Sequence, residues 1–206
     1  MEDIRELTDI EFDVLKEISN IGTGHAATAI SRMMDGKVAI QVPKIDFVEF
    51  STLSDFVGGA EQEVIGILVT LERDIEGMMM FLLNKESATI IVNKMLGRNK
   101  DIIDGPLDDL ENSVLTEFGN IIAGSYLSAV SKLTDLSVYS NVPALSDDMA
   151  GAILSVPAIE FAKISDKALI IESVVETEQN SAKGYFILIP TLSTFKKIFR
   201  KLGLEG

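Results

Sequence analysis

The segments LTDIEFDVLKEISNIGTG, residues 7–24, and LDDLENSVLTEFGNIIAG, residues 107–124, are one helix written twice. Glu17, Asn20 and Gly24 return as Glu117, Asn120 and Gly124, at a constant shift of 100 positions. An internal repeat of that span constrains the fold more than any local signal does. Each half, about 1–100 and 101–206, has to form the same elements in the same order.

At about 100° per residue, Asp13, Glu17, Asn20 and Gly24 fall on one narrow stripe. Leu15, Ile18, Gly22, Ala26, Ala29 and Met33 lie roughly opposite. In the second copy Ser113, Glu117, Asn120 and Gly124 make the stripe. Leu115, Phe118, Ile122, Ala129 and Leu133 make the apolar side. Thr8 with Glu11, and Asp108 with Glu111, have capping-box spacing, and Leu7 and Leu107 stand where a hydrophobic staple would sit. Helices are expected at about 9–34 and 109–133. Gly22, Gly24, Gly119 and Gly124 interrupt them, each at a cost of about 1 kcal/mol relative to Ala. Helix packing suits Gly22. On the stripe, a missing side chain lets another backbone or side chain come close, with helix packing as the competing reading for Gly24 and Gly124.

The repeat continues beyond the helices. Val38–Pro43 matches Val138–Pro143, and both read as strands whose late proline marks an edge or a bulge. Val64 to Glu72 and Ala168 to Glu176 are rich in Val, Ile and Leu. Each is followed by a glycine-led run, Gly77 to Leu83 and Gly184 to Ile189, across a polar turn, so two antiparallel hairpins are expected. Short helices ending at Gly97 and Gly203 close the halves. Each half then reads helix, strand, irregular region, two strands, helix. The expected fold is α+β: one internally duplicated domain over 1–206, pseudo-two-fold, with long helices on a continuous antiparallel sheet.

Composition removes most chemistries. With no cysteine and one histidine, His25, disulfides, thiolate chemistry, a Ser-His-Asp triad and a multi-histidine metal site all lack material. A net charge of −14 argues against nucleic acid and favours partners with basic contact patches. No apolar run approaches the roughly 18 residues of a membrane span. The acidic start M-E-D-I-R-E lacks the order of a signal peptide, so a cytoplasmic protein is expected.

Glu and Asn three residues apart project side by side from one turn. A carboxamide both donates and accepts hydrogen bonds, so it can hold a water in line with a phosphorus atom. Positioning supplies most of what phosphoryl transfer needs. A neighbouring Glu can pair with a cation of a docked partner and fix its register. The competing reading is two solvated helix faces inherited by duplication.

The pattern of Asp or Ser, three residues, Glu, two residues, Asn, present twice on homologous helices, resembles the CheC family of chemotaxis phosphatases, with CheX and FliY as relatives. The resemblance spans the whole chain. It implies hydrolysis of the aspartyl phosphate of the response regulator CheY. Asn20 and Asn120 would orient water, and Glu17 and Glu117 would contact a lysine of the regulator. Asp13 and Ser113 match the motif's variable first position. The chain would carry no cofactor of its own, the Mg2+ being the regulator's. CheD, a receptor-modifying deamidase, is implied as a second partner. The alternative within the same resemblance is a non-catalytic module that sequesters CheD or docks on the flagellar switch.

Other features read more plainly. Gly22-Thr23-Gly24-His25-Ala26-Ala27 fits G-x-G-x-x-A, but mid-helix it cannot be a dinucleotide loop. His25 is expected toward the apolar side of its helix as a structural residue. Met78, Met79 and Met80 are expected to fill the core. Lys196, Lys197, Arg200 and Lys201 read as a solvated face over Phe195, Ile198, Phe199 and Leu202. Ser146 to Gly151 is expected as an irregular acidic segment, with Asp147 and Asp148 as candidates for docking CheD.

Overall fold

The computed structural model describes residues 8–34, 36–161, 167–177 and 180–204 of the 206-residue chain. Both long helices form where the apolar period puts them, α1 at Asp9–Met33 and α4 at Asp109–Thr134. Their starts are set by the capping boxes. The Glu11 amide donates to Thr8 Oγ1 at 3.3 Å, and the Thr8 amide donates to the Glu11 carboxylate at 2.8 Å. In α4 the amides of Leu110 and Glu111 donate to Asp108 Oδ1 at 2.9 and 2.8 Å, and the Asp108 amide returns to Glu111 at 3.0 Å. Leu107 packs half-buried against the core, while Leu7 lies outside the described residues.

After α1 the chain continues through β1 (Val38–Glu49), a short α2 (Leu53–Phe56), β2 (Glu63–Arg73), β3 (Gly77–Asn84) and α3 (Lys85–Leu96). After α4 come β4 (Val138–Ser140), β5 (Ala144–Met149), α5 (Ala150–Phe161), β6 (Lys167–Thr177), β7 (Ser181–Pro190) and α6 (Leu192–Lys201). The helix after each hairpin stops at a glycine in the left-handed region, Gly97 at φ 62° and Gly203 at φ 75°.

The strands form one antiparallel sheet in the order β1-β6-β7-β3-β2-β4, with β5 also paired to β2. The two hairpins meet at β3 and β7, where Phe81 lies opposite Phe186. The halves also exchange strands. β1 of the first half pairs with β6 of the second, and β4 and β5 of the second pair with β2 of the first. Each half thus completes the other's sheet edge. The late prolines fall as expected: the β1 register shifts between Gln41 and Lys44, around Pro43, and Pro143 separates β4 from β5.

Alternate residues of the strands face opposite layers. Ile65, Ile67, Val69, Met79, Phe81 and Leu83 join the core under α1, α3, α4 and α6. Val64, Met80, Leu82, Ile170 and Ile187 join a second core under Leu53 of α2 and Ile153 and Leu154 of α5. The methionine run is therefore core on both faces. Phe195, Ile198 and Phe199 are buried beneath α6, with Lys196, Arg200 and Lys201 outward.

Three expectations are corrected. The irregular region of the second half is regular: Ser146–Met149 belongs to β5, and Ala150 begins the 12-residue helix α5. Apolar helix patterning and strand patterning merge in ALSDDMAGAILSVPAIEF, and only pairing with β2 separates them. His25 is exposed, because the buried line of α1 runs through Gly22, Ala26 and Ile30, and position 25 points sideways from that line. Leu133 is exposed too, although Val130 and Thr134 beside it are buried: at that point α4 turns positions 130 and 134 inward and position 133 outward.

Candidate functional site

α1 and α4 lie against each other on the same layer. Leu15 and Ile18 share a small cavity with Leu127 and Val130, while Ser19 and Gly22 share another with Ile122 and Tyr126. Earlier residues of α1 meet later residues of α4, so the helices are antiparallel. Gly22 allows the approach: a Cβ there would lie 3.0 Å from the Tyr126 Cα. Gly119 allows the other one, against the sheet, where a Cβ would lie 2.5 Å from Ile67 Cγ2. Tyr126 is buried across the crossing. Burial pushes its phenol up to about 12, against the neighbouring Ser19 side chain, which pulls the other way.

That packing decides what the stripes face. Asp13, Glu17, Asn20 and Gly24 are all exposed, as are Ser113, Glu117, Asn120 and Gly124. The side chains of Glu17, Asn20, Glu117 and Asn120 make no hydrogen bond or ion pair among the described residues, so both pairs are left to solvent or to a visitor. Ser113 Oγ donates to its own helix at Asp109 O, 2.8 Å away. Nothing approaches within 4 Å of a Cβ built at Gly24 or Gly124. These two glycines have no packing role. With the crossing at residues 22 and 126, the stripes run outward from it toward opposite ends of the helix pair.

The stripes extend further than the sequence pattern suggested. Ile10 and Leu110, three residues before Asp13 and Ser113, are 63% and 56% exposed. Their spacing was the available signal, but a motif read only for polar groups passes over them.

The acidic residues of β5 divide. Asp147 turns toward Lys85 at the start of α3 and forms a largely buried ion pair with it, in a cleft of about 450 Å³ that also takes in Asn112 and Leu107. Asp148 is exposed, and one of its carboxylate oxygens accepts from the Met149 amide at 2.7 Å. Among the described residues no cluster of three or more His, Asp or Glu side chains is placed to hold a metal, and no helix is long and apolar enough to cross a membrane. At the start of α4 the buried Glu111 binds Lys100 and, at 3.4 Å, Arg98, and Arg98 also binds Asp108 at 2.7 Å. This network steadies the second stripe's helix without touching the stripe.

The model of the CheC-like family matches residues 10–45 and 110–146, which hold one stripe each. The chain is 34% identical to the CheY-P phosphatase CheC of Bacillus subtilis over 196 residues, 94% of either protein. It is 27% identical to the flagellar motor switch phosphatase FliY of the same organism over 129 residues, 63% of this chain and 33% of that one. In structure it superposes on the crystal structure of Thermotoga maritima FliY with a TM-score of 0.77 at 22% identity, covering 96% of this chain and 98% of the other, a likeness of fold. With both stripes inside the matched segments and nearly the full length aligned to CheC, this chain belongs to the CheC-like family.

Proposed function

We propose that this protein is a phosphatase acting on the aspartyl phosphate of a CheY-type response regulator, and that Asn20 and Asn120 each position the attacking water. The observation that carries the reading is the pair of exposed Glu and Asn side chains, present on both helices and without hydrogen-bond or ion-pair partners among the described residues. The name of the B. subtilis relative, CheY-P phosphatase, supplies the substrate. In-line attack on the phosphorus needs a water held at the right angle, and an amide presented on a rigid helix provides it at little entropic cost. Glu17 and Glu117, one turn away, fix the register by pairing with a cation of the docked regulator. The Mg2+ that offsets charge on the phosphoryl oxygens is the regulator's own. Asp13 and Ser113 border the contact.

We read residues 1–206 as one domain, since the exchanged strands leave neither half a complete sheet. A CheD-type deamidase is the second proposed partner, with the exposed Asp148 as its contact.

The test is phosphate release from the phosphorylated regulator. Asn20→Ala and Asn120→Ala should each lower the rate, and the double variant should lose nearly all of it with an unchanged melting curve. Parent-level turnover by the double variant would sink the mechanism. Loss of affinity alone, with kcat retained, would support the non-catalytic binding module instead.

A further inference from the structure

We infer that Ile10 and Leu110 are aliphatic anchors that seat the phosphorylated regulator on the two stripes, a docking contact outside the Glu and Asn pair. The inference rests on the proposed phosphatase reading and specifies how its partner is held.

Both residues sit at the second position of their helices, in register with the stripe. Ile10, Asp13, Glu17, Asn20 and Gly24 follow one another at spacings of three, four, three and four, and Leu110 leads the second set in the same way. Seven residues bring a helix back to within about 20° of the same direction, so Ile10 lies over Glu17 and Leu110 over Glu117. The ridge from Ile10 to Gly24 is about 21 Å long at 1.5 Å per residue, the span of a helix laid across a small domain.

Among the described residues, neither side chain joins a hydrophobic core. The capping boxes employ Thr8 with Glu11 and Asp108 with Glu111, and the apolar contact before α4 is made by Leu107. Isolated exposed aliphatics are ordinary. Two at matched places on two diverged helices are less so. Neighbouring positions have changed character, Phe12 against Asn112, Lys16 against Thr116 and His25 against Ser125. Position 10 has remained a large aliphatic while staying more than half exposed.

The chemistry of the occupant follows from continuity with the stripe. Glu17 and Asn20 supply polar contacts, which position a partner but contribute little net affinity after desolvation. Interface affinity is concentrated in a few side chains that fill desolvated pockets, and burying an aliphatic side chain is favourable in its own right. Ile10 and Leu110 are the large aliphatics on these two ridges. The partner surface that receives them is an apolar pocket of the receiver domain, about 15 Å, or nearly three helical turns, from its phosphoryl group.

The experiment uses the full chain with the double change Ile10→Ser and Leu110→Ser. The readouts are KM and kcat for phosphate release and Kd for the regulator bearing beryllofluoride as acyl-phosphate mimic. Burial of one such side chain predicts a roughly ten- to hundredfold rise in KM and Kd, with kcat within twofold of the parent. Val142→Ser, at an aliphatic 86% exposed on the far edge of the sheet, should change neither. Unchanged KM and Kd in the double variant overturn the anchor proposal while leaving the phosphatase reading intact. A fall in kcat alone, or a change in self-association by light scattering, also overturns it. Parent-level turnover by the double Asn variant would remove the reading beneath it.

Discussion

Glycine is the most expensive ordinary residue inside a helix, and Gly24 and Gly124 occupy helix interiors with open space around them. Replacing both by alanine adds a methyl group that meets no atom of the protein within 4 Å. Each change should therefore stabilise the fold by about 1 kcal/mol, and the pair by about 2 kcal/mol, through helix propensity alone. For a domain of this size that raises Tm by roughly 4–8 °C. The contrast lies one turn away. A Cβ at Gly119 would fall 2.5 Å from the buried Ile67, and overpacking of that kind costs about 1–3 kcal/mol. Thermal melts of Gly24→Ala/Gly124→Ala and of Gly119→Ala should move in opposite directions. If a regulator lies along the stripe, the two added methyls crowd its backbone, so the stabilised double variant should show a KM at least about fivefold higher. A lowered Tm in the double variant would refute the description of the outer helix surface. A raised Tm with unchanged KM would show that no partner comes close to these glycines.

Two further outcomes are expected. Burial raises the carboxyl of Glu111, but the Lys100 hydrogen bond and the Asp108 amide outweigh it, and the group ends below its ordinary value. A lowered folded value contributes stability above the ordinary range and loses it as pH falls through the folded value. Glu111→Gln should thus lower Tm at pH 7 by the equivalent of about 1–2 kcal/mol, and its gap from the parent should narrow below about pH 4, a trend that pH-dependent melts check. Asp148→Lys should weaken pull-down of a CheD-type deamidase and spare basal phosphate release. Asp147→Lys should instead destabilise the fold by about 1–3 kcal/mol, because it sets two cations against each other at Lys85. Equal effects of the two changes on CheD binding, with no loss of Tm at 147, would refute the division.

What could be read before the structure was local or periodic. The helix starts at 9 and 109 follow from cap chemistry within four residues. The hairpins follow from apolar runs around short polar turns, and the exposure of Glu17, Asn20, Glu117 and Asn120 follows from their angle to Leu15 and Leu115. Where two periods overlap, that reading fails. Residues 144–161 carry enough apolar character for either strand or helix, and the choice at Met149 is made by the pairing of Glu63 with Met149. The inward turn of Asp147 is equally non-local, since its partner Lys85 lies 62 positions away. The exposure of His25 is non-local for a related reason: a helix wheel gives directions but not how wide a face its neighbours cover.

The sequence by itself determined the duplication, the two helices and their polar ridges, because caps and periodicity act over a few residues. It also limited the chemistry to groups that orient water and partners, because reactive thiols and clustered histidines are missing from the chain. Only the tertiary structure decided that the halves exchange strands, that Gly22 and Tyr126 set an antiparallel crossing, and that Ile10 and Leu110 remain uncovered. Those facts depend on which distant surfaces bury one another, a free-energy comparison among whole arrangements of the chain.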